Sequence, residues 1–168
     1  MWILTIIAIL ASLTGYASMS SQIALAGVED TARANALALN MASYRSGVVE
    51  SANDSTYAGV NKVVVVNALP TGYAALNPAQ WSNVVLADGT IAVYSVGVSP
   101  PGLIKGIATL AQGSVLAGRV NLVTNKIEAP GTISADQIDL GTILTNVAAI
   151  SPPTSITDGA AIWLAHRN

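Results

Sequence analysis

Residues 1–54 read MWILTIIAIL ASLTGYASMS SQIALAGVED TARANALALN MASYRSGVVE SAND, a stretch that predicts one long helix in two chemically different halves. From Met1 to Val28 no side chain is charged, and from Glu29 to Asp54 the pattern is amphipathic. No proline interrupts it. Only Gly15, Gly27 and Gly47 weaken helical propensity, so the first stop signal is the turn at Asn53-Asp54-Ser55. At about 1.5 Å per residue such a helix measures roughly 80 Å, much longer than a small domain is wide. Part of it has to lie outside the domain, in lipid or against other helices.

Trp2 to Leu13 is the most hydrophobic run, and beyond it Thr14, Gly15, Ser18, Ser20, Ser21 and Gln22 dilute the apolar character. A membrane-spanning helix needs about 20 mostly apolar residues, and serine and threonine are tolerated because they bond back to the preceding turn. Trp2 to about Leu25 then reaches the length of a single uncleaved anchor. On this reading residues 1–28 form the transmembrane or filament-core segment, with membrane lipid as a partner, and residues 29–168 form a single α+β domain beginning with the amphipathic half of the same helix. A secretory signal with Ala24-Leu25-Ala26 as its cleavage site is a rival, opposed by the missing basic N-terminal region. A buried core helix of a soluble protein is another. Arg33, the nearest basic residue, says little about orientation.

In the second half, Leu37, Met41, Tyr44 and Val48 recur at spacings of 4, 3 and 4, with Arg33, Asn40 and Glu50 off that line. The stripe faces something apolar. The domain's own sheet is the first expectation and helices of other subunits the second, which makes these four residues the candidate interaction face. Arg45 reads as a solvated charge beside a core edge at Tyr44.

Beyond the helix, Lys62 to Leu69 contains four consecutive valines and predicts a buried strand. Leu69-Pro70-Thr71-Gly72-Tyr73 and Asn77-Pro78 read as a loop delivering Trp81 to an edge of the core. Val84 to Leu86 and Ile91 to Val98 flank Asp88-Gly89, an antiparallel hairpin. Ser99-Pro100 is expected to cap a helix from about Pro101 to Gln112 that buries Leu103, Ile107 and Leu110. Gly113 or Gly118 ends that unit before a strand over Arg119 to Val123, which turns at Thr124-Asn125. Glu128 to Asn146, rich in Gly, Thr and Asp, reads as loop with short strand or helix pieces. After a turn-rich passage from Ser151-Pro152-Pro153-Thr154 to Asp158-Gly159, Ala160 to Ala165 closes the chain as a strand, with Ile162 and Leu164 on one face and Trp163 on the other.

Of the 168 residues only 10% are charged, the net charge is −2, and phenylalanine and cysteine are absent. Scattered basic residues give no footprint for nucleic acid, and the lack of cysteine excludes disulfides and thiolate metal sites. His166, two residues from the end of the sequence, is expected to fray. Asp136 and Asp139 lack the further oxygen ligands that calcium needs at short spacing. No nucleophile elbow, Walker sequence, dinucleotide fingerprint or zinc spacing is present. The residues therefore imply no enzyme, no cofactor, no metal site and no small-molecule substrate.

The architecture, an apolar helical stem running into an amphipathic half and then an antiparallel sheet, resembles type IV pilins, although the pilin processing signature is absent. A closer resemblance, to the PilM family of the thin, type IVb conjugative pilus systems, is carried by an ordered set of motifs. These are Ala38-Leu39-Asn40-Met41-Ala42-Ser43-Tyr44-Arg45, Leu69-Pro70-Thr71-Gly72-Tyr73, Trp81-Ser82-Asn83, the hairpin from Asp88-Gly89 to Tyr94, Pro101-Gly102-Leu103, and Pro153-Thr154-Ser155-Ile156-Thr157-Asp158-Gly159-Ala160. Gly131 to Ile150 looks like an extension to that pattern. The resemblance implies an inner-membrane protein with a periplasmic domain that works in pilus assembly or the pilin transport apparatus, partnered by other pilus-system proteins. A pilin-like subunit that polymerises into an extracellular filament with copies of itself is the alternative.

Overall fold

The computed structural model describes residues 2–67, 69–71, 73–76, 79–131, 137–150 and 155–168, with side chains from Gly27 onward. Two compact units divide the chain, Met1–Arg33 and Ala34–Asn168. The helix α1, Trp2–Ala52, belongs to both and has no internal break. In the first unit Thr31 Oγ1 donates back to the Gly27 carbonyl at 2.8 Å. Among the described residues no helix is long and apolar enough to cross a membrane. The anchor expected over residues 1–28 has most of its side chains outside the described residues.

In the second unit α1 is followed by a short 3₁₀ turn, Ser55–Tyr57, started by the Asp54 carboxylate accepting the Thr56 N–H at 2.8 Å. Then come β1 (Trp81–Val85), β2 (Thr90–Ser95), α2 (Leu103–Leu110), β3 (Ala117–Asn121), β4 (Lys126–Glu128), α3 (Gly141–Ala148) and β5 (Ala161–His166). The fold is α+β, a helix packed on a five-stranded sheet of order β1-β2-β5-β3-β4 whose neighbours are all antiparallel. The last strand in sequence lies in the middle, pairing Val93 with Trp163 on one side and Trp163 with Ala117 on the other.

Period-2 alternation assigns the two faces of the sheet. Val85, Ile91, Val93, Ala117, Ala161 and Trp163 pack with Met41 and Val48 of α1 and Leu103 and Ile107 of α2. Val84, Ala92, Tyr94, Val120, Ile162 and Leu164 pack with Ile143 and Val147 of α3 and with Leu140, Ile150 and Ile156. The stretch that resembled an extension thus supplies part of a second apolar layer. The Asp88-Gly89 hairpin forms as expected, with Val85 opposite Ile91 and Gly89 at φ 89°. The closing strand also forms, with Ile162 and Leu164 on the face opposite Trp163.

Three local expectations are corrected and one open alternative is resolved. Among the described residues the run from Lys62 forms no strand and makes one bridge, Lys62 with Val85, and of its four valines only Val64 is buried. Past that bridge the Asn83 amide takes over: Val64 N–H donates to Asn83 Oδ1 at 2.8 Å and Asn83 Nδ2 donates to Val64 O at 3.2 Å. A side chain thereby replaces the backbone ladder. Ser99 does not cap α2, because the helix starts only at Leu103 and the Ser99 hydroxyl lies instead 3.4 Å from that of Ser95. The cap position is Gly102, at φ 79°, where a Cβ would stand 3.0 Å from Ala34 Cβ. Leu110 is exposed, and Gly106 instead faces α1, where a Cβ would come within 2.9 Å of Ala38 Cβ. Gly118 lies inside β3, with no room for a side chain beside the Glu128 carbonyl, so Gly113 is the stop, its N–H bonding Ala108 O at 2.9 Å. The expected turns at Gly72, Asn77-Pro78 and Ser151-Pro152-Pro153-Thr154 lie outside the described residues.

Candidate functional site

The four stripe residues turn inward. Met41 and Val48 are fully buried among sheet and α2 side chains, and Leu37 and Tyr44 pack half-buried at the margin of the same cluster. All four therefore meet the domain's own interior. The buried line on α1 is Ala34, Ala38, Met41, Val48 and Ala52, with the small residues at the end where α2 crosses.

Polar residues beside this line strap the next segment to the helix. Trp81 Nε1 donates to Asn40 Oδ1 at 2.7 Å, and Asn40 Nδ2 donates to the Ala74 carbonyl at 2.8 Å. One turn on, the Tyr44 hydroxyl accepts from Asn83 Nδ2 at 2.7 Å. Burial pushes the Tyr44 phenol above its ordinary pKa, with the Asn83 bond opposing that shift and Tyr94 adding to it. Tyr73 lies beside it, ring centroids 6.1 Å apart, and is raised too, first by burial and then by Tyr44.

Arg45 is not the solvated charge that the sequence suggests. Its guanidinium lies 4.9 Å from the centroid of the Trp163 ring, and Nη2 donates to the Leu164 carbonyl at 2.9 Å. The buried Nε has no hydrogen-bond partner, and burial lowers the pKa of the group. A groove of ≈ 530 Å³ opens beside it, lined by Arg45, Glu50, Asn53, Leu116 and His166 among others.

His166 ends β5 rather than fraying. Its Nδ1 lies 2.6 Å from the Arg167 carbonyl and its Nε2 3.0 Å from the Asp88 carbonyl. Arg167 Nη2 in turn donates to Asp54 O at 3.2 Å, pinning this end of the chain to the end of α1. Both imidazole nitrogens thus face backbone carbonyls. Of the Asp136–Asp139 pair, Asp139 accepts the Gly141 N–H at 2.7 Å at the start of α3, and Asp136 lies outside the described residues. Among the described residues no three His, Cys, Asp or Glu side chains stand together as metal ligands.

Among the described residues both faces of the sheet are packed from within the domain. Comparison with protein-family models matches the chain to PilM over residues 8–164. The chain belongs to the PilM family. No curated protein and no solved structure matches it. PilM membership makes it a component of a pilus system, with protein partners. Two residues important to this PilM fold escaped the sequence reading, and each left a signal. Asn83 interrupts the apolar alternation of Trp81 and Val85 on one strand face, and a polar break at a buried strand position needs bonding partners. Arg45 falls between Met41 and Val48 on the helix's buried line, where its stem has to run along the core.

Proposed function

We propose that this PilM-family chain is a non-enzymatic structural component of a type IVb, conjugative type IV pilus assembly system, held in the bacterial inner membrane by residues 1–28 with residues 29–168 in the periplasm. The family match over residues 8–164 carries the reading, because it takes in most of the uncharged segment together with nearly all of the sheet domain. Support comes from how the helix is used: among the described residues the buried core begins at Ala34, so the amphipathic half of α1 serves the domain. On this reading the uncharged residues 1–28 face lipid. The chain works by presenting its domain to other pilus proteins, without cofactor, nucleic acid or small-molecule substrate.

A second reading, a pilin-like subunit that polymerises into a filament, draws on the unbroken helix Trp2–Ala52, since packed stems in a fibre bury an apolar half as well as a membrane does. One experiment separates the two. The native protein is isolated from sheared surface filaments and from membranes of the same cells, and its N-terminus and intact mass are determined in each fraction. An intact chain confined to membranes supports the anchored component; the same chain as the main mass of the fibres reverses the ranking. A chain starting at Gly27 in soluble periplasm defeats both.

A further inference from the structure

The two ends of the sheet differ in chemistry. At one end lie the polar hairpin turn Asp88-Gly89, His166 and the turn just after α1, where Arg167 bonds the Asn53 and Asp54 carbonyls. Strand register fixes the other end: Trp81 pairs with Ser95, Tyr94 with Ile162, Arg119 with Ala161 and Asn121 with Lys126. The segments following Ser95 and Asn121, and the one preceding Ala161, therefore leave the sheet together. They also touch. Ser99 N–H donates to Gly159 O at 3.2 Å, Leu122 N–H donates to Asp158 Oδ1 at 2.9 Å, and Val98 Cγ1 stands 3.5 Å from where a Gly159 Cβ would be.

On these adjoining loops four aliphatic side chains face outward: Val96 is 60% exposed, Val98 73%, Leu122 37% and Val123 91%. Neither Val96–Pro101 nor Leu122–Asn125 contains a charged residue. A single exposed valine is ordinary, but four on neighbouring loop tips make a patch that gains nothing from folding. The same end receives α1, since Gly102, just past the first loop, stands against Ala34, and Trp81 is bonded to Asn40. The uncharged residues 1–28 end only six positions before Ala34.

We infer that this end of the domain rests on the lipid surface, with Val96, Val98, Leu122 and Val123 set into the headgroup–acyl boundary of the bilayer. The inference rests on the anchored reading above and adds a second, independent point of contact that fixes how the domain stands on the membrane. Lipid fits the patch better than a protein partner does. The apolar groups sit on separate protruding turns, and a bilayer interface rewards apolar area whatever its shape, whereas a protein interface needs complementary packing. With no basic residue on either valine-bearing loop the contact does not require anionic lipid.

The absence of cysteine makes the test direct. Val98→Cys and Val123→Cys place an environment-sensitive dye on the patch, and Ala87→Cys places it at the hairpin end as a reference. Each full-length protein is reconstituted into phosphatidylcholine vesicles, recovered by flotation, and exposed to a nitroxide quencher on the lipid acyl chain or to aqueous iodide. The expected result is blue-shifted emission at positions 98 and 123, quenched several-fold more by the lipid nitroxide than at position 87, with iodide showing the reverse order. Protein that floats but is quenched alike by iodide at all three positions overturns the lipid contact and leaves the anchor standing. Protein that fails to float overturns both. Disulfide cross-linking between Val123→Cys copies without lipid quenching assigns the patch to a second copy and likewise overturns the proposal.

Discussion

Asn83 carries more of the fold than its size suggests. Its amide bonds both backbone groups of Val64 and the Tyr44 hydroxyl from a buried position on β1, holding the valine segment, the strand and the helix at one point. Asn83→Leu would remove all three bonds and leave the Val64 N–H desolvated without a partner. The expected loss is about 2–4 kcal/mol of stability, read from the denaturant midpoint at unchanged slope. Tyr44 supplies a pH dependence. Its folded-state pKa is raised, so the folded chain holds the phenol proton more tightly than the unfolded chain does. The associated stability is fully present below the unfolded value of about 10 and falls as pH rises through the folded-state value. Tyr44→Phe should flatten that alkaline fall, measured as urea midpoints from neutral pH upward. Tyr73, raised for related reasons, leaves a residual slope. An alkaline profile unchanged by Tyr44→Phe would show that another group sets it.

The helix α1 offers a sharper contrast, because its stripe fits either an intramolecular core or an interface. Met41 is fully buried against the domain's own sheet, so Met41→Ala should cost about 2–5 kcal/mol of domain stability in the absence of any partner. A variant that melts normally and loses only pilus assembly would instead make the stripe an interface. Where α2 crosses α1, Gly106→Val should lower stability by about 1–3 kcal/mol, since even a Cβ would come within 2.9 Å of Ala38 Cβ and neither backbone has slack; thermal unfolding reads it. These elements differ in how openly the sequence declares them. Asp88-Gly89 and the alternation in Ala161–Leu164 act locally, through turn chemistry and side-chain period, and both were legible. The four valines carry strong strand propensity, yet their pairing was decided by Asn83, which lies 19 residues from Val64 in sequence. Ser99 reads as a cap, but the helix starts only at Leu103, with Gly102 in the cap position. Helix α3 begins Gly141-Thr142, residues of poor helical propensity, and its packing on the sheet through Ile143 and Val147 is a tertiary effect that a sequence window does not contain. The same limit applied to the candidate face: the spacing of Leu37, Met41, Tyr44 and Val48 showed that the stripe is covered, while the sheet alone shows by what.

A helix shared between two units raises the question of which part depends on the other. Among the described residues nothing before Ala34 is buried, and Glu29 to Arg33 are exposed, so the domain's core owes these residues nothing. Both faces of its sheet are covered from within, and at about 130–140 residues it is large enough to bury a self-sufficient core. A fragment of residues 29–168 should therefore be monomeric without detergent and unfold cooperatively, its melting midpoint within about 4–8 °C of the full chain's, the displacement that about 1 kcal/mol produces in a small domain. Circular dichroism and gel filtration test this. Moving the cut to residue 42 deletes Ala34, Ala38 and Met41 and takes with them the contacts to Gly102 and Gly106. The eleven helical residues left, Ala42–Ala52, are too few to be stable without that packed face, so this shorter fragment should fail to fold. If the 29–168 fragment aggregates or melts without cooperativity while the full chain is well folded, residues 1–28 are part of the folding unit. The lipid contact proposed for Val98 and Val123 would then have to be measured against a domain that the bilayer itself holds together.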